Sequence, residues 1–140
     1  MERIVKSFCI IFLIVLFSAV PVKAVEQMNL STLITAQNMK YENCTKVFNT
    51  DNVSLFYLTL AAINANRFTV EEIQSKSGYI LFTAVNKRFL ATVTNVNTNQ
   101  GMLKITPEDN NYFFQPGIIL NIFRYIELNL NQKPQNIPLN

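Results

Sequence analysis

The sequence predicts an α+β domain of two layers, a four-stranded antiparallel meander flanked in sequence by an N-terminal and a C-terminal helix. Three observations predict it. Residues 68–106 divide into four short β-prone runs separated by turn residues. Residues 53–63 ahead of them, and residues 118–130 behind them, carry apolar side chains at helical spacing. Hydrophobic residues make up 49% of the 140-residue chain and charged residues 15%, a balance that supports one small packed core.

The first 24 residues have the order of a secretory leader. Arg3 and Lys6 open the chain, residues 8–20 form an apolar run, and Pro21 and Val22-Lys23-Ala24 follow, with the cut expected after Ala24. The run is short against the roughly 20 apolar residues of a membrane-spanning helix, so membrane contact is expected only if the leader stays uncleaved. Arg3, Lys6 and Lys23 face Glu2 alone, so this segment holds most of the net charge of +3. The remainder is close to neutral, and no nucleic-acid partner is expected. The protein is expected to be secreted or periplasmic. Cys9 lacks the setting of a lipid-attachment cysteine, and removal of the leader makes Cys44 the sole thiol. One thiol forms no internal disulfide. Without a neighbouring His, Cys44 reads as a buried bystander.

Residues 25–50 form a lead expected to pack on the domain. Leu30, Leu33 and Ile34 share a helical face, and residues 39–48 read as mixed or extended. The domain spans residues 51–130. Asn49, Thr50 and Asp51 are cap candidates for the first main helix. Val53, Phe56, Leu60 and Ile63 form its stripe, widened by Leu55, Leu58 and Ala62. Asn64-Ala65-Asn66 ends it, with Asn in the left-handed conformation. Strands follow at residues 67–75, 79–85, 88–96 and 102–106. Lys76-Ser77-Gly78 makes the first turn, Asn86-Lys87 the second, and residues 97–101 the third. Pro116 stands near the start of the last helix, whose apolar face is Ile119, Ile122, Phe123, Ile126 and Leu130. A frayed tail is expected over residues 131–140.

Several chemistries lack their residues. The chain has no His, which removes the commonest general base and metal ligand, so no enzymatic activity, metal or cofactor is expected. Glu71 and Glu72 are neighbours on a strand, and alternation should point them to opposite faces. The run Glu108-Asp109-Asn110-Asn111 is too short for a calcium loop and reads as a turn with a cap. Tyr112, Phe113 and Phe114 read as packing against the last helix rather than as a sugar platform. Glycosylation sequons stand at Asn29, Asn43 and Asn52.

The meander carries apolar residues on both faces. Phe68, Val70, Ile80, Phe82, Ala84, Leu103 and Ile105 belong to the helix side. Alternation then places Ile73, Tyr79, Leu81, Val85 and Leu90 on the far side, as a candidate partner surface. Either a partner, such as an envelope protein or a second copy, meets that face or the groove between sheet and helices, or residues 25–48 fold over the face. A small apolar-ligand carrier is the alternative, with a cavity lined by Phe56, Phe82 and Phe123.

The runs Tyr57-Leu58-Thr59-Leu60, Phe68-Thr69-Val70 and Ser77-Gly78-Tyr79-Ile80, with the apolar face of residues 119–130, resemble the helix-grip domains of outer-membrane-assembly lipoproteins. The resemblance covers residues 51–130. The chain departs from that family in lacking a lipid-attachment cysteine and a second domain. The resemblance implies an envelope accessory protein that works by binding, and it carries over no site residues.

Overall fold

A computed structural model describes residues 30–131 of the chain. The leader with its cut after Ala24, Cys9, Asn29 and the tail beyond Asn131 lie outside the described residues. Helix α1 (Leu30–Ile34) leads to strand β1 (Gln37–Asn38), a 3-10 turn (Tyr41–Cys44) and β2 (Thr45–Phe48). Helix α2 (Asn52–Ala65) precedes a meander of β3 (Thr69–Gln74), β4 (Tyr79–Ala84), β5 (Lys87–Asn97) and β6 (Gln100–Pro107). Strand β7 (Phe113–Phe114) and helix α3 (Gly117–Asn129) complete the order.

The fold is α+β with an antiparallel sheet, and that sheet has five strands rather than four, in the order β2-β6-β5-β4-β3. The extra strand comes from the lead, where β2 pairs with β6 and sets Phe48 opposite Gly101. A four-residue strand is too short to display an alternation that could be read in advance. A small ribbon, Gln37 opposite Phe114 and Asn38 opposite Phe113, ties the lead to the segment before α3.

Helix α2 starts where the Asp51 Oδ1 accepts a hydrogen bond from the Ser54 N–H at 2.9 Å. Its end differs from expectation. Asn66 keeps φ near −81°, and Arg67 takes the left-handed conformation at φ 58°. The Arg67 N–H bonds the Asn64 carbonyl at 2.9 Å and the Phe68 N–H bonds the Ile63 carbonyl at 3.1 Å, a Schellman closure. The buried face is also rotated. Leu55, Phe56, Thr59, Ala62 and Ile63 are buried, while Val53 is 66% exposed. A helix that is apolar nearly all round does not encode which side faces the core. Thr59 fits there because its hydroxyl donates to the Leu55 carbonyl at 2.7 Å. Helix α3 is amphipathic, and it buries Ile118, Ile119, Ile122, Phe123 and Ile126 close to the expected set.

The turns follow backbone sterics. Gly78 has φ 71°, and a Cβ there would stand 2.5 Å from the Val93 carbonyl oxygen. The β4–β5 turn is centred one residue earlier than expected. Ala84 pairs with Lys87, and Val85 and Asn86 are both left-handed, at φ 48° and 61°. Two central residues at positive φ make this a type I′ hairpin turn.

The core lies between α2, α3 and the inner sheet face. Phe68, Phe82 and Phe89 stack in a row, with centroids 6.0 and 5.6 Å apart, and Phe114 closes the row edge-on at 5.1 Å. Each fully buried ring adds roughly 1.5–3 kcal/mol over exposure. Among the described residues, no helix is long and apolar enough to cross a membrane.

Candidate functional site

The outer sheet face is set by strand register. Leu81 stands directly opposite Leu90, Leu90 opposite Thr106, and Glu72 opposite Leu81. Gln74, Tyr79, Thr92, Lys104 and Thr45 form the next row. Side chains directly across an antiparallel ladder share a face, so these two rows point away from the core. Tyr79, Leu81, Leu90, Thr92 and Thr106 are half-buried. The described part of the lead does not lie over them. Strand β2 runs along the β6 edge, and α1 meets the start of α3, where the Leu33 carbonyl would come within 2.8 Å of a Cβ on Gly117.

A β-bulge changes which β3 residues belong to this face. Val70 pairs with Phe82 and Glu72 with Leu81, so Glu71 is the extra residue. Glu71 and Glu72 therefore point the same way, in contrast to the expected alternation. Ile73 corrects in the opposite sense. It stands opposite Ile80 on the helix side, 47% exposed at the sheet edge, and so is not on the face of Tyr79, Leu81 and Leu90. Val85 is in the hairpin turn and 58% exposed, on neither face. Of the five sequence candidates, the fold brings Tyr79, Leu81 and Leu90 together.

The carboxylates are anchored by neutral and cationic donors. The Thr83 hydroxyl donates to Glu71, and the Arg88 Nε donates to the Glu71 Oε2 at 2.8 Å. These two contacts, the Thr83 bond foremost, hold the Glu71 carboxyl below the usual range. The Tyr79 hydroxyl donates to the Glu72 Oε1 at 2.6 Å, and the Gln74 amide does so at 2.9 Å. Both lower the Glu72 carboxyl, Tyr79 more than Gln74, and the same bond raises the Tyr79 phenol. Arg88 also meets Glu108 at 2.9 Å, and Lys87 meets Asp109 at 2.9 Å. A paired-carboxylate mechanism needs one acid that keeps its proton at neutral pH. Both members of this pair are shifted the other way.

At the end of the face where these charges gather lies a depression of about 400 Å³. Leu81, Leu90, Thr106 and Pro107 line it, together with Tyr79, Glu72, Glu108 and Asn110. Sequence reasoning missed Glu72, Thr106 and Glu108 as members. No Gly or Pro within Thr69–Gln74 signals the bulge, and Glu108 arrives from a loop after β6.

Two other depressions lie on the helix side. One, of about 640 Å³, opens between the lead and α3, beside Lys46 and Phe123. There Lys46 pairs with Glu127, and its ammonium lies 5.8 Å from the Phe48 ring centre and 6.0 Å from that of Phe123. The other, of about 560 Å³, lies between the start of α2 and the end of α3, beside Tyr57 and Leu130. The three rings expected around a ligand cavity are each buried against other rings. Phe82 stacks between Phe68 and Phe89, Phe123 meets Phe48 at 5.9 Å, and Phe56 meets Tyr57 at 5.7 Å.

Cys44 is buried, and its thiol lies 3.6 Å from the Lys40 carbonyl. Burial first, then the nearby Glu42, push the thiol up to about 11. A thiol that stays protonated is a poor nucleophile. Among the described residues, no group of three or more His, Cys, Asp and Glu side chains is placed to hold a metal. The chain matches no protein-family model and no curated protein.

Proposed function

We propose that this chain is an exported, non-enzymatic binding module that docks another protein on its outer sheet face. Leu81 and Leu90 are the centre of that surface, and Tyr79 is its flank. The observation that carries this reading is the directly opposed Leu81–Leu90 pair, half-buried on a face with no helix packed over it among the described residues. The sheet neighbours cover much of this pair, and its remaining apolar surface is buried only when a partner arrives. Val85 supports the same reading as a projecting apolar anchor beside the face. Export rests on the order of charges and apolar residues in 1–24, and the partner is accordingly an envelope or secreted protein, or a second copy of the chain. A helix-grip arrangement, with a helix before and after the meander, accords with this accessory role. The alternative, an apolar-ligand carrier, has less support, because the rings of its expected cavity are each packed against other rings.

The test is Leu81→Asp. The side chain is outside the core, so the variant keeps its fold by circular dichroism and loses its partner in affinity capture from the envelope or culture fluid. Retention of every specific partner by the folded variant would falsify the outer-face reading.

A further inference from the structure

We infer that the occupant of the outer-face depression is a polypeptide segment presenting a lysine or arginine next to aliphatic residues, its stem on Leu81 and Leu90 and its cation between Glu72 and Glu108. This rests on the outer-face reading and specifies the partner's chemistry.

The depression has an apolar floor, one aromatic wall and two carboxylates on its rim. Among the described residues, no cationic side chain lines it. The nearby cations are committed elsewhere. Arg88 spends its Nε on Glu71 and its Nη1 on Glu108, and Lys87 holds Asp109. Glu71, Glu72, Glu108 and Asp109 thus stand against Arg88 and Lys87, with two negative charges in surplus. Lys104 belongs to the neighbouring row, opposite Thr92, and does not line the depression. Among the described residues, Glu72 takes hydrogen bonds only from neutral donors, Tyr79 and Gln74, and Arg88 acts on it only at longer range, so no ion pair cancels its charge. Those same bonds keep it ionised at neutral pH. A long aliphatic stem ending in a cation matches this order of surfaces, since such side chains bury their methylenes while the head stays at a polar edge. The Tyr79 ring adds a face that favours a cation. A purely aliphatic segment would desolvate Glu72 with no compensating ion pair. An acidic segment would meet like charge.

The experiment uses isotope-labelled protein and three capped hexapeptides: alternating lysine and leucine, alternating glutamate and leucine, and alternating lysine and serine. Amide shifts are followed by NMR. The lysine–leucine peptide should move the resonances of Glu72, Tyr79, Leu81, Leu90, Thr106 and Glu108, and the other two should bind much more weakly. Glu72→Gln and, separately, Glu108→Gln should each weaken the lysine–leucine peptide by about three- to fivefold, as loss of one exposed ion pair does. Equal binding of the glutamate–leucine peptide, or lysine–leucine binding unchanged in both variants, overturns the cationic occupant while leaving the outer-face reading intact. Failure of all three peptides to bind overturns the cationic occupant as well. Partner retention by Leu81→Asp sinks the outer-face reading by a separate route.

Discussion

Val85 is a β-branched residue held at φ 48°, with 58% of its surface exposed. Replacing it by Asn tests whether that conformation stores strain. The left-handed region costs an ordinary L-residue roughly 1–2 kcal/mol, and branching at Cβ makes it worse. Asn visits this region readily, so Val85→Asn should recover most of that cost. Against this stands lost burial. Less than half of the valine is covered, which forfeits about 0.6–1.3 kcal/mol of the roughly 1.5–3 kcal/mol a fully buried side chain supplies. The net expectation is a gain of about 0.5 kcal/mol. At a urea slope of ~2 kcal/mol/M, the unfolding midpoint should rise by about 0.25 M. Val85→Ile keeps the branch and should give no gain. A midpoint for Val85→Asn at or below that of the parent would refute the argument, by showing that the turn is relaxed or that Val85 is better packed than its exposure suggests. If strain here is retained for docking, the stabilised variant should also bind its partner less well.

Three further expectations follow from the same physics. Arg67→Gly places the residue without a Cβ at the left-handed closure of α2 and should stabilise the fold by about 0.5–1 kcal/mol in urea melts, since relief of the backbone exceeds the added chain entropy. Gly78→Ala puts a methyl 2.5 Å from the Val93 carbonyl oxygen and should lower stability by about 2 kcal/mol or more, seen as a thermal shift of several degrees. In a Cys9→Ser background, Cys44 should resist an aromatic disulfide reagent until the protein unfolds. The unfolded thiol ionises near 9.0 while the folded one keeps its proton up to about 11, so this group's contribution is complete below pH 9 and is lost as pH rises towards 11. The loss is at most about 2–3 kcal/mol, and Cys44→Ala should remove that part of the pH dependence.

Much of the fold was legible in advance. Residues 79–84 alternate as expected, and the inner set Ile80, Phe82 and Ala84 is buried. Helix α3 shows its face because polar residues such as Asn121, Arg124 and Glu127 interrupt its apolar ones. The candidate site was legible only in part. Tyr79, Leu81 and Leu90 were placed on one face by parity alone. Ile73 was misplaced because the bulge at Glu71 reverses the parity of every later residue in β3. The same bulge brought Glu72 to the site.

Residue order alone settled what is local: which segments coil, which extend, and which side of a regular strand each residue takes. These follow from 3.6- and 2-residue periods that chain geometry imposes within a few residues. Tertiary packing settled the rest. It chose the buried side of α2, where an almost wholly apolar helix offers no polar face to read. It recruited Thr45–Phe48 as a fifth strand, which exists because β6 had an open edge to pair. It also drew Glu72 and Glu108 to the rim of one depression, through a bulge and a loop whose positions depend on partners far away in the chain.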